Sequence, residues 1–155
     1  MLFRSPKSKV YVMPLDKDSE RILRLKKEKD KNFEVLEQEY IISEIEKYKS
    51  EGRSHSEAIF TVKPQIIAAA IDKVVQNSII FYCDADLYFF NSLPWELDNG
   101  SDVILTPHLF RPDLQSHLKY GKFNAGFVGI RKNDRGVEAL QWWAERCKEI
   151  GRAHV

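Results

Sequence analysis

Ile79-Ile80-Phe81-Tyr82-Cys83-Asp84-Ala85-Asp86 is the stretch on which the reading of this chain turns. Its first five residues are apolar throughout, and such a run suits a strand buried on both faces, as in a parallel sheet. Two carboxylates follow without a spacer. Residues i and i+2 of an extended chain project to the same side, so Asp84 and Asp86 can both reach one point. In open α/β sheets, ligands bind outside the carboxyl ends of the strands. Two hard oxygen ligands there suit Mg2+ or Mn2+, which could bridge to a diphosphate. The chain then turns apolar again at Leu87-Tyr88-Phe89-Phe90. Acidic groups wedged between two apolar runs have no easy surface explanation, and an unpaired buried carboxylate is costly, so a cation is a sensible partner.

Asp-x-Asp by itself is a short pattern that chance supplies often. The chain carries its own control in Asp16-Lys17-Asp18, which also follows a strand-like run. The residues downstream of that pair are charged and helix-forming, so Asp16 and Asp18 read as solvated capping groups.

Working outward, Val10 to Met13 reads as a buried strand ended by Pro14. A charged helix follows, capped by Asp16 or Asp18, with Ile22, Leu23 and Leu25 expected inward. Phe33 to Leu36 is a short strand. Ile41, Ile45 and Tyr48 share one face of a second helix, which Gly52 ends. Pro64 suits the first turn of a third helix, with Ile66, Ile67, Ala70, Ile71 and Val74 as its apolar stripe. Val103 to Leu105 and Phe123 to Ile130 read as further strands, and residues 107–121 as a loop. Asn133 or Asp134 caps a last helix, with Val137, Leu140, Ala144 and Cys147 on one side. Alternating strands and helices predict an α/β sandwich with a mostly parallel sheet flanked by helices.

Composition narrows the function classes. Lys and Arg total 24 against 23 Asp and Glu, a net charge of +1. That balance argues against a nucleic-acid partner, which calls for a basic excess or stripe. No apolar run approaches the roughly 20 residues of a membrane span, so no transmembrane segment is expected, which leaves room for peripheral membrane association. Arg4 to Lys9 is polar rather than signal-like, and two cysteines make no disulfide framework, so the expected compartment is the cytoplasm.

Several segments together resemble one family. They are Val62-Lys63-Pro64 at a helix start, Ile80-Phe81-Tyr82-Cys83-Asp84-Ala85-Asp86, Leu105-Thr106-Pro107-His108, Phe123-Asn124-Ala125-Gly126-Phe127-Val128-Gly129, and Leu140-x-Trp142-Trp143-x-x-Arg146. In this order they resemble GT-A-fold nucleotide-diphospho-sugar transferases, close to the galactosyltransferase-like, glycogenin-like retaining group. The resemblance implies a Rossmann-like mixed sheet and a glycosyltransferase of the hexosyltransferase type, as in polysaccharide biosynthesis. It implies transfer of a sugar from a nucleotide-diphosphate donor, a UDP-sugar in most of the family, to a saccharide or glycolipid acceptor. Asp84 and Asp86 would hold Mn2+ or Mg2+ against the diphosphate, with Asp84 also touching the ribose. Asn124, Ala125 and Gly126 would line the donor-sugar pocket, Asn124 offering both donor and acceptor groups and Gly126 allowing close backbone approach. Lys63 would reach the diphosphate from a helix N-terminus, or is an ordinary surface lysine. His108, Arg111 and Lys119 would belong to a loop over the acceptor side, or to a plain connection. No catalytic base or nucleophile is singled out.

The family's domain opens with a strand–helix unit that binds the base, whereas this chain starts at what reads as the second strand. Residues 1–148 are therefore expected to form a partial domain lacking that first unit and the C-terminal part. Residues 149–155 are expected to be a non-native tail, because Ile150 onward back-translates to ATC GGA AGA GCA CAC GTC, which resembles a sequencing adapter. An inactive fragment acting only as an interaction module is an alternative to the glycosyltransferase reading. A sugar-phosphate nucleotidyltransferase is the alternative enzyme, but the Gly-rich basic loop such enzymes carry after their first strand is not seen after Val10 to Met13.

Overall fold

The computed structural model describes residues 9–89, 98–108 and 122–150. The chain is mixed α/β and divides into two compact units, residues 1–73 with 140–155, and residues 74–139.

The first unit starts with β1 (Val10–Val12), α1 (Lys17–Lys27) and β2 (Phe33–Val35). The two strands pair in parallel, with Val10 opposite Phe33 and Val12 opposite Val35. A parallel pair needs a crossover, and α1 is that crossover. Asp16 caps α1 as expected, its carboxylate accepting from Ser19 N–H at 2.7 Å. The inward apolar face expected for α1 does not form. Ile22 and Leu25 are 60% and 55% exposed, and only Leu23 is half-buried. Asp16 caps its first turn, and Glu20 pairs with Arg24 on its surface.

Helix α2 (Glu39–Ser50) buries Ile41, Ile45 and Tyr48, the stripe read from the sequence, against Ala58 and Val62 of α3 (His55–Ile71). Gly52 follows α2 at φ +95°, a conformation that suits only a residue without Cβ. Helix α3 starts nine residues before Pro64. Ser54 and Glu57 form a reciprocal capping box, Ser54 N–H donating to Glu57 Oε2 at 2.8 Å and Glu57 N–H to Ser54 Oγ at 3.3 Å. Pro64 is therefore interior to the helix and fully buried. The Ile67, Ala70 and Ile71 part of the expected stripe is buried, while Val74 lies past the helix end.

The second unit holds β3 (Ile79–Cys83), β4 (Val103–Pro107) and β5 (Phe123–Arg131) in the order β3-β5-β4. Both pairings are antiparallel, so the all-apolar β3 is not a strand of a parallel sheet here. It is an edge strand, half-buried along Ile79–Tyr82, and the central β5 carries the buried Val128 and Ile130. An apolar run reports that a strand wants cover, not which way its neighbour runs. Gly129 of β5 sits where a Cβ would come within 2.8 Å of the Phe81 ring, so the small residues of β5 make room for the aromatics of β3. Helix α4 (Asp134–Ile150) follows, and Asn133 Oδ1 accepts from Gly136 N–H at 2.8 Å. Trp142 on α4 is exposed and Trp143 half-buried, as expected of adjacent helical residues.

Candidate functional site

The candidate site is built at the end of β3, wholly within the second unit. Cys83 is the last residue of β3 and pairs with Phe127. One further rung forms beyond it, Asp84 N–H donating to the Gly126 carbonyl at 2.9 Å. Side chains alternate across a sheet, so Tyr82 and Asp84 share a face with Asn124 and Gly126 of β5. After Asp84 the chain leaves the extended state. Ala85 and Asp86 form a turn, with Leu87 N–H donating to the Asp84 carbonyl at 3.2 Å. The i, i+2 relation that the sequence suggested for Asp84 and Asp86 thus belongs to Tyr82 and Asp84. Asp84 is half-buried and Asp86 is exposed on the turn.

The Asp84 carboxylate lies between Tyr82 and Gly126. The Tyr82 hydroxyl donates to Oδ1 at 2.6 Å. On the other side, Oδ2 lies 2.9 Å from the point where residue 126 would carry a Cβ. Asn124 Oδ1 lies 3.0 Å from the same point and accepts from Gly126 N–H at 2.7 Å. That bond settles which end of the amide is oxygen and leaves Nδ2 as the end that can donate to a ligand. Asp84 and Asn124 thus converge over a residue that must be small. Ala125, between them in the motif, is exposed. Burial, and then the bond to Asp84, push the Tyr82 phenol well above its ordinary value, so it stays protonated and keeps donating.

The remaining expected residues fall elsewhere. His108 is half-buried just past β4, its N–H donating to the Lys122 carbonyl at 2.9 Å, so its backbone extends the β4–β5 ladder. Arg111 and Lys119 lie outside the described residues. Lys63 is not at a helix N-terminus. It lies in the ninth position of α3, in the first unit, is 2% exposed, and its Nζ stands 4.6 Å from the Phe60 ring centre. The helix starts at the capping box and not at Pro64, so the backbone N–H groups near Lys63 are not the unpaired ones that bind anions. The sequence reading missed Tyr82, although its two-residue spacing from Asp84 was a visible signal.

Among the described residues no three His, Cys, Asp or Glu side chains cluster as a metal cage. The carboxylates at the end of β3 are those of Asp84 and, on the turn, Asp86. That set does not fit a closed four-ligand zinc site. It does fit Mg2+ or Mn2+ in their phosphate-binding mode, where one or two carboxylates suffice and water and phosphate oxygens complete the shell.

Comparison with known proteins finds two similar sequences. The sequence is similar to YfnF of Bacillus subtilis (strain 168), an uncharacterized protein. The two are 28% identical over 154 residues, covering 92% of this chain and 49% of YfnF. A second uncharacterized protein of that organism, YfnD, is 28% identical over 103 residues, 64% of this chain and 33% of YfnD. The chain thus spans half or less of the length of these curated relatives. No family model matches it, and no solved structure matches it.

Proposed function

We propose that this chain carries the donor-binding part of a glycosyltransferase of the GT-A kind, which passes a sugar from a nucleotide-diphosphate donor, a UDP-sugar, to a saccharide or glycolipid acceptor. The observation that supports this reading is the convergence of Asp84 and Asn124 over Gly126 at the end of β3. Two segments far apart in sequence bring a carboxylate and an asparagine side chain together over a glycine. A sugar diphosphate presents a dense negative charge next to sugar hydroxyls: a cation held by the carboxylate would meet the first, and the asparagine amide the second.

In this reading Asp84 and Asp86 would hold Mg2+ or Mn2+, which supplies Lewis-acid stabilisation of the charge left on the nucleoside diphosphate. Asn124 Nδ2 donates to a hydroxyl oxygen of the donor sugar. Gly126 keeps its backbone clear of the sugar ring. The reading does not depend on Lys63, which lies inside α3. The proposal requires of the second unit that β3 end on its carboxylates with β5 beside it, and an antiparallel trio supplies that as well as a parallel sheet does.

Calorimetric titration of the chain with UDP, with and without Mn2+, tests the reading. Wild type is expected to bind UDP only with Mn2+, and Asp86→Asn to bind at least tenfold more weakly. Equal binding by the two proteins would remove the site.

A further inference from the structure

We propose that Tyr82 is a positioning residue, whose phenol holds the Asp84 carboxylate in the orientation that takes a divalent cation. The inference rests on the donor-site reading above and adds to it the group that aims the ligand. Tyr82 is fixed in β3 by its pairing with Val128, and its hydroxyl donates to Asp84 Oδ1 at 2.6 Å. The Asp84 main chain is fixed by its own bond to the Gly126 carbonyl. Backbone and one oxygen are therefore both held, which narrows the rotamers open to the carboxylate. Oδ2 then stays over Gly126, on the side of Asn124. Without the phenol, the carboxylate loses one of the bonds that limit its rotamers before a cation binds. It would lose affinity in proportion to the states it must give up. Hydrogen-bond partners of metal ligands act in this way, and removing one lowers metal affinity by about 10- to 100-fold.

The alternative role for the contact is purely structural, the satisfaction of a half-buried phenol. The two roles separate when metal affinity and folding are measured on the same variant. Mn2+ is titrated into the full chain at fixed pH and saturating UDP, and unbound Mn2+ is followed by its electron paramagnetic resonance signal. Tyr82→Phe removes one oxygen and keeps the ring. It is expected to bind Mn2+ about 10- to 100-fold more weakly than wild type, with a thermal midpoint within a few degrees. Restoring a donor with 4-aminophenylalanine at position 82 is expected to recover most of the affinity. Asp84→Asn distinguishes the two layers of the argument. If Asp84→Asn loses Mn2+ and Tyr82→Phe binds like wild type, the positioning role is overturned and the site stands. If wild type shows no Mn2+ binding that depends on Asp84, both fall. Should Tyr82→Phe fail to fold, 4-aminophenylalanine and 4-methoxyphenylalanine at position 82 provide the comparison, with the ring kept and the donor present or absent. Equal Mn2+ affinity in that pair overturns the role.

Discussion

Asp84 and Gly126 face each other at the end of β3, and the absent side chain of the glycine is what gives the carboxylate its place. The Asp84 N–H donates to the Gly126 carbonyl, and Asp84 Oδ2 lies 2.9 Å from the position a Cβ would take on residue 126. Gly126→Ala would put a methyl group against Oδ2 and against Asn124 Oδ1 together. Both neighbours are ends of side chains that can swing, so the expected loss of stability is small, about 1 kcal/mol. The expected loss of ligand binding is large, because the same swing moves both proposed ligand contacts. Mn2+-dependent UDP binding should fall at least tenfold while the urea midpoint shifts little. A variant that binds like wild type would show that the convergence over Gly126 has no part in binding.

Much of this arrangement was legible in the sequence, and the reasons for the rest are specific. The short strand at Phe33 to Leu36 and the helical spacing of Ile41, Ile45 and Tyr48 were both read from the sequence, and the residues of that helix face are buried. Pro64 misled because its fixed φ suits a first turn but does not require one. The Ser54–Glu57 box outranked it, since it satisfies two orphan N–H groups at once. The direction of β3 was not legible, because an apolar run does not encode its neighbour's polarity. The pairing of Tyr82 with Asp84 was open to the same two-residue rule that was applied to Asp84 and Asp86, but the rule was carried past the point where the strand ends.

Gly136 offers a second glycine test with the opposite balance. It lies in the first turn of α4, where alanine is intrinsically favoured by up to about 1 kcal/mol. A Cβ there would stand 2.0 Å from the Arg131 carbonyl oxygen, which is backbone and cannot swing aside. The clash outweighs the propensity. Gly136→Ala is expected to destabilise the chain by about 3 kcal/mol, at the upper end of overpacking penalties, read from urea unfolding. A gain in stability would mean that α4 begins elsewhere.

Arg53 ties the start of α3 to the last turn of α4. Its guanidinium donates to Thr61 Oγ1 at 2.7 Å, to the Lys148 carbonyl at 2.8 Å and to the Cys147 carbonyl at 3.3 Å, and it stands 4.3 Å from the Tyr48 ring centre. The final carbonyls of a helix have no partner inside it, and here a buried cation supplies one. Arg53→Met keeps the apolar stem and removes the donors. It is expected to lose about 2–4 kcal/mol in urea unfolding, because two helix-end carbonyls and Thr61 lose a charged partner together. Its circular dichroism should also show fraying of α4. An unchanged midpoint would mean that water replaces the guanidinium without loss.

Tyr48 lies beside Arg53 and gives a pH test with a definite sign. Its hydroxyl is buried and makes no well-formed hydrogen bond among the described residues, with the Glu44 carboxylate beside it. Burial first, and then the charge of Glu44, push the phenol up from 10.0 to about 12. Between these two values the unfolded chain releases the phenolic proton and the folded chain holds it. Rising pH therefore favours unfolding across that window, by at most about 3 kcal/mol for a shift of this size. Below pH 10 the group is protonated in both states and contributes no slope. Tyr48→Phe removes the orphan oxygen, keeps the ring under Arg53, and is expected to raise stability by about 1 kcal/mol at pH 7. It should also flatten the decline between pH 10 and 12. Urea unfolding at pH 7, 9, 10 and 11 measures both effects on one pair of proteins. A variant less stable than wild type at pH 7 would show that the hydroxyl has a partner, and an unchanged slope above pH 10 would assign the alkaline decline to other groups.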